Sequence, residues 1–177
     1  MFISVKFLYK GRGRLDVFHR CGRGYVRLFS APCAMGRGVT QNKREGDLNT
    51  PLGVFRFLCA FGTDKNPGAK IKYFKLSDTM YWVDDTESKY YNRLVDLSAA
   101  ERDFKSAEHM TAYPGLYDYG LATSFNKDCI PGRGSAIFMH CIEDLRRPTH
   151  GCIAVKKPIM REIIKAVTAN SVIAVFK

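Results

Sequence analysis

No stretch of this chain stays apolar for the roughly 18 residues that a membrane-spanning helix needs, so no span is expected. Its first residues, Met1-Phe2-Ile3-Ser4-Val5-Lys6, have neither the long apolar centre nor the small-residue cleavage site of a signal peptide. Six cysteines are present, yet none form a C-x-x-C pair. That speaks against a zinc ribbon or a thioredoxin-type centre, and neither a metal nor a cofactor is expected. Acidic residues are scarce: 17 Asp and Glu stand against 28 Lys and Arg, a net charge of +11. A nucleic-acid binder is the first thought for such an excess, but no basic helix, zinc-finger spacing or aromatic RNA-binding motif accompanies it. The bases are scattered in small groups, at Arg12 and Arg14, Lys43-Arg44, Arg146-Arg147 and Lys156-Lys157. That pattern suits a solvated surface, or attraction to a polyanionic matrix. Repeats, low-complexity tracts and linkers are also missing. A hydrophobic share of 46% excludes disorder, and 177 residues suffice for one domain, 1–177, with a proper core.

Most of the chain reads as strands. Residues 2–9, 15–19 and 25–30 are short β-rich runs, separated by turns at Gly11-Arg12-Gly13 and Cys21-Gly22-Arg23-Gly24. Residues 36–49 are polar and read as a long loop. Further strands are expected at 54–59, 71–76, 81–83 and 171–176. Helix signals are few. Ser98-Ala99-Ala100-Glu101 has capping-box spacing and predicts a short helix. Pro158 suits a first helical position, and Ile159, Ile163, Ile164 and Val167 then share one face. This predicts a helix to about residue 169, with Asn170 as the stop. The fold class is mainly β with one or two helices (α+β).

The residues that carry chemistry sit further along. Cys152 lies in Thr149-His150-Gly151-Cys152-Ile153-Ala154, twelve residues after His140. His140 ends the apolar run Ala136-Ile137-Phe138-Met139, a buried strand by composition, and Cys152 opens a second, Cys152-Ile153-Ala154-Val155. Two neighbouring strands joined by a polar loop would set an imidazole beside a thiol, the usual way to make a nucleophilic thiolate. A single cysteine is more often a small buried hydrophobe. Reduced, mostly buried thiols are the expectation for Cys21, Cys33, Cys59, Cys129 and Cys141. Cys141, next to His140 on a strand, should face the opposite way.

The segment from His140 to Cys152 resembles the signature of the L,D-transpeptidase catalytic domain family (YkuD-type): a histidine on a strand, a spacer, then Ser/Thr-His-Gly-Cys. Upstream, Thr50-Pro51-Leu52-Gly53-Val54-Phe55 is similar to the family's Thr-Pro-x-Gly-x-Phe strand. Tyr91-Asn92-Arg93, Ser106-Ala107-Glu108-His109 and Pro131-Gly132-Arg133-Gly134-Ser135-Ala136-Ile137-Phe138 resemble a compact branch of it. These runs span about residues 36 to 160. Two positions depart from the commoner pattern. Ala154 stands where Arg or Asn usually follows the cysteine by two, and Cys141 follows the histidine where Gly is usual.

The resemblance implies a mixed β-sandwich and acyl transfer between peptidoglycan stem peptides, in a bacterial periplasm or cell envelope; a monomer is expected. In that reading Cys152 attacks the carbonyl of the third stem residue, a diamino acid, and His140 is the base. The N–H groups of Gly151 and Cys152 are candidates for the oxyanion site. The substrate carries both carboxylates and amines, so Arg93, Arg133 and Glu108 are recognition candidates. Tyr91, Asn92, Ser106, His109 and Ser135 stand behind them, with Thr149 and His150 beside the nucleophile. The Tyr-rich stretches 73–91 and 113–119 read either as a binding wall or as core. Asp84 and Asp85 are adjacent on a strand and face opposite ways, which argues against a glycosidase carboxylate pair. Two alternatives stand beside the transferase: an L,D-carboxypeptidase with water as acceptor, and a basic wall- or nucleic-acid-binding module with an inert cysteine.

Overall fold

The computed structural model describes residues 1–177. Three long strands come first, β1 (Phe2–Tyr9), β2 (Arg12–Cys21) and β3 (Gly24–Ala34), each antiparallel to the next. Ile3, Val5, Leu15 and Val17 are shut off from solvent. This is the period of two that a strand shows when one face lies on a core. The strands outrun the expected ranges because the first turn is tighter than read: Lys10-Gly11 alone reverse the chain. Gly13 lies inside β2 instead, where a Cβ would stand 2.5 Å from the Met35 sulfur. Its role is close packing, not turning.

Two short pieces, β4 (Val39–Thr40) and β5 (Thr50–Pro51), pair across the polar loop. β6 (Gly53–Gly62) is long, and β7 (Tyr73–Lys75) runs parallel to its far end. A separate small sheet follows from β8 (Met80–Val83), β9 (Leu94–Asp96) and β10 (Ala107–His109), with β8 in the middle. Then come β11 (Gly120–Thr123), β12 (Phe138–Cys141), β13 (Ile153–Val155), the helix α1 (Lys157–Ala166) and β14 (Val172–Phe176).

The main sheet has the order β11-β12-β13-β3-β2-β1-β14-β6-β7, and β6 also pairs with β11. The sheet therefore closes on itself, and its halves enclose one core that Ile3, Leu15, Met35, Leu121, Met139 and Ile173 share. This is the sandwich that was expected. β14 is slotted between β1, to which it is parallel, and β6, to which it is antiparallel. A second cluster of Phe61, Trp82, Tyr117 and Phe138 joins the small sheet to the main one. Its rings meet edge-on, Trp82 to Phe138 at 4.6 Å and Phe61 to Phe138 at 5.1 Å between centroids.

One of the two expected helices forms. Pro158 opens α1, and Met160, Ile163 and Ile164 bury its inner face. It stops three residues earlier than read, because Val167 turns extended (φ −65°, ψ 134°) and the Ser171 hydroxyl takes the Thr168 N–H at 3.0 Å. Residues 98–101 are a turn and not a helix. The Asp96 carboxylate accepts the Ser98 N–H at 2.9 Å, and the Asp96 carbonyl accepts Ala99 N–H at 3.1 Å, so local turn bonds replace helical ones. No helix is long and apolar enough to cross a membrane.

Candidate active site

β12 and β13 are parallel neighbours, with Met139 opposite Ile153 and His140 opposite Ala154. By the same register Cys152 stands across from Phe138, whose N–H donates to Sγ at 3.3 Å. His140 is two residues along on the same face, about 6.5 Å further down the strand. Cys141 faces the other way into the main core, as expected.

The nucleophile loop is pinned by Thr149. Its hydroxyl donates to Cys152 O at 2.6 Å and accepts the Gly151 N–H at 3.2 Å, and its own N–H reaches Met35 O at 2.8 Å. Gly151 sits at φ 134°, where a Cβ would lie 2.8 Å from Asn49 O. Only glycine fits there. The Gly151 N–H, an expected oxyanion donor, is occupied by Thr149; the N–H of Cys152 is engaged by no hydrogen bond.

The thiol and imidazole are both held by backbone carbonyls. Cys152 donates to Ala136 O at 3.1 Å, and His140 Nδ1 bonds Cys141 O at 2.7 Å. A carbonyl only accepts, so Nδ1 carries the proton and Nε2 keeps its lone pair. No hydrogen bond joins Cys152 to His140. Part of Cys152 still faces a cavity, but burial pushes the thiol up to about 12. The Phe138 N–H and the Lys43 charge pull it down, while the Glu108 charge pushes it up. Burial holds His140 down near 4, partly offset by the Cys141 carbonyl. The resting pair is therefore neutral, not the thiolate and imidazolium that the spacing suggested.

Both groups open onto a cavity of about 860 Å³, walled by segments around residues 43–48, 112–117 and 142–152. The family model of the L,D-transpeptidase catalytic domain (YkuD) matches residues 10–175. The chain belongs to this family. Among solved structures it is similar in fold to the helical cell shape determining protein Pgp2 of Campylobacter jejuni. The two share 16% identity with a TM-score of 0.54, over 99% of this chain and 47% of that one. A point mutant of Pgp2 gives 17% identity and a TM-score of 0.53, over 99% and 46%. Bd1075 of Bdellovibrio bacteriovorus gives 15% and 0.51, over 98% and 47%. The chain thus spans about half the length of the structures it matches. No curated protein matches it. Family membership makes this a domain of the L,D-transpeptidase catalytic type.

Of the residues singled out from the family-like runs, Cys152, His140, Thr149, His150, Glu108 and Ser135 line the cavity. Tyr91 and Asn92 lie behind it. The Tyr91 hydroxyl donates to Glu45 Oε2 at 2.5 Å and accepts the Gly134 N–H at 3.1 Å. Asn92 Oδ1 accepts from the Ala136 N–H at 3.0 Å and from Trp82 Nε1 at 3.1 Å. These two residues brace segment 134–136 and so hold the carbonyl that receives the thiol. Arg93 and Ser106 are exposed and outside the cavity. His109 faces away from Glu108, stacked on Tyr81 at 4.7 Å and bonded to Asp78 O at 2.8 Å. Arg133 lines a different, polar cavity of about 590 Å³ with Arg44 and Phe125.

Three lining residues were missed or undervalued. The Lys43 side chain is only 3% exposed and pairs with Asp47 at 2.5 Å. Nothing in a polar loop signals a buried cation. Tyr117 fell in the flagged Tyr-rich stretch; its hydroxyl donates to Glu108 Oε1 at 2.5 Å and its ring stands edge-on to His140 at 5.5 Å. In the sequence Asp84 stands out only as half of a carboxylate pair with Asp85. It points into the cavity, while Asp85 turns out and accepts the Lys105 N–H at 2.8 Å.

Proposed function

We propose that this domain is a peptidoglycan L,D-transpeptidase, one folding unit over 1–177, acting as a monomer in the bacterial cell envelope. The observation that carries the reading is the pairing of β12 with β13, which sets Cys152 and His140 on one face of one cavity. The thiol leaves Ala136 O and turns toward Nε2. As Sγ adds to the carbonyl carbon of the third stem residue, its proton passes to Nε2. The free N–H of Cys152 is the donor for the oxyanion. Collapse breaks the amide bond, the proton on Nε2 goes to the leaving amine, and the terminal D-amino acid departs. The acyl group remains as a thioester on Cys152. An amine of a second stem then attacks the thioester, Nε2 takes its proton, and the sulfur recovers that proton as it leaves. One amide bond is broken and one is formed. A neutral resting pair suits this course, since charge appears only as substrate fills the cavity. The net charge of +11 favours approach to an acidic wall polymer.

The test is mass spectrometry of stem tetrapeptides after incubation with the protein. Cross-linked dimers that have lost one terminal residue are expected. Tripeptide without dimer would make the enzyme an L,D-carboxypeptidase, and unchanged substrate would overturn the enzymatic reading.

A further inference from the structure

Only two buried side-chain polar atoms in the molecule have no hydrogen-bond partner, Asp84 Oδ1 and Ser135 Oγ. Both residues line the cavity beside Cys152. Buried polar atoms are nearly always paired, so two orphans in one cavity mark it as a place for a ligand's polar group. Asp84 accepts no hydrogen bond and makes no ion pair. Ser135 is 7% exposed and lies beside the Tyr91 hydroxyl, which is itself engaged by Glu45 and the Gly134 N–H.

A third acceptor comes from the neighbouring strand. Glu108 on β10 pairs with Trp82 on β8, and Asp84 is two residues beyond Trp82. Asp84 and Glu108 are thus diagonal neighbours on the same face. Glu108 Oε1 accepts from Tyr117, and no donor reaches Oε2. The nearest buried cation, Lys43, is already engaged by Asp47. Among basic side chains only that of the exposed His150 bears on Glu108, and no cation is bonded to either carboxylate.

We propose that Asp84, Glu108 and Ser135 form a subsite for a primary ammonium of the substrate, the side-chain amine of a diamino acid in a stem peptide. This rests on the stem-peptide reading above. An ammonium brings three donors and no acceptor, which complements free carboxylate oxygens and a hydroxyl; a ligand carboxylate would be repelled. The subsite also touches the chemistry. Burial and the Asp84 charge hold the Glu108 carboxyl up, and the Glu108 charge opposes ionisation of Cys152. An ammonium bound between the two carboxylates cancels that opposition, so the thiol becomes easier to ionise when the correct residue is in place.

The experiment is calorimetric titration of the Cys152→Ala protein with a stem tetrapeptide and with the same peptide acetylated on its side-chain amine. Acetylation is expected to weaken binding by about tenfold or more. The penalty should fall below about twofold once Asp84→Asn and Glu108→Gln are added. Should the double variant fail to fold, Asp84→Asn alone carries the comparison. A tripeptide has no terminal residue to lose and serves only as acceptor. A penalty confined to the tetrapeptide assigns the subsite to the donor's amine, and an equal penalty on the tripeptide assigns it to the acceptor's. A penalty undiminished in the variants overturns the subsite and leaves the stem-peptide reading intact. No binding of either peptide to any of the proteins overturns both.

Discussion

Replacing Gly151 by Ala probes how the nucleophile is held. At φ 134° an L-residue is strained, at a cost of roughly 1–3 kcal/mol. The new Cβ would also stand 2.8 Å from Asn49 O and 3.1 Å from Ile137 Cδ1. A backbone oxygen cannot swing aside, so the loop itself must shift, and overpacking of this kind adds about 1–3 kcal/mol. The midpoint, about 4 kcal/mol, corresponds to a melting temperature lower by roughly 8–16 °C for a chain of this length. The shift moves Cys152 as well, and a displacement near 1 Å costs about a hundredfold in rate. Gly22→Ala is the control. It also has a positive φ, 58°, but nothing lies within 4 Å of its Cβ. Strain alone, about 1 kcal/mol, should lower its melting temperature by only about 2–4 °C. Thermal unfolding by circular dichroism and turnover of stem peptide measure both effects. If Gly151→Ala melts alongside Gly22→Ala and turns over like the parent protein, the account of the loop is wrong.

His140 titrates near 4 in the fold against 6.5 when free, so below pH 6.5 the unfolded chain takes up a proton that the fold refuses. Its contribution is complete above pH 6.5 and is lost toward pH 4, about 3 kcal/mol in all; denaturant titrations should show His140→Gln flattening that slope, and parallel curves would refute the burial argument. A thiol pushed to about 12 predicts alkylation of Cys152, followed by peptide mapping, that climbs about tenfold per pH unit from 7 to 10; a plateau below pH 8 would reveal an ion pair instead. Cys152→Ala should keep the melting temperature and abolish transfer, whereas Ala at Cys33 or Cys141 should lower stability and spare turnover; full turnover by Cys152→Ala would exclude the mechanism. A carbapenem should add one inhibitor mass to the intact protein and none to Cys152→Ala, because a strained lactam presents an activated carbonyl to the same thiol.

The parts of the fold that could be read from the sequence are those that local pattern controls. β1 and β14 alternate buried and exposed residues, and α1 follows its proline and its isoleucine spacing. The thiol and imidazole were legible because two short apolar runs with a polar connection admit few arrangements. Part of what escaped depends on partners far away in the chain, and part on local side-chain bonds that composition does not reveal. Tyr91 and Asn92 were flagged for substrate, yet they bond Glu45, Gly134 and Ala136, and no spacing reveals a brace of that length. Gly151 was read as an oxyanion donor because its neighbour Thr149 gave no sign that its hydroxyl folds back. The neutral state of the pair follows from burial, which adjacency alone does not report. Residues 98–101 carried a genuine capping pattern, but Asp96 two positions earlier won the competition for the same N–H groups.

The placement of β14 bears on how the chain reaches this fold. Phe2 pairs with Val172 and Lys6 with Phe176, contacts that span almost the whole sequence. Such pairings raise contact order, and loop closure over that length precedes any gain from the contact, so folding on the millisecond-to-second scale is expected. Until residues 172–176 arrive, β1 and β6 each present a bare edge, a template for misassociation with a second chain. During synthesis the hairpins of β1 to β3 form first and wait. β14 is the only link between β1 and β6, so the sheet that carries Cys152 closes on itself only when this strand drops into its slot.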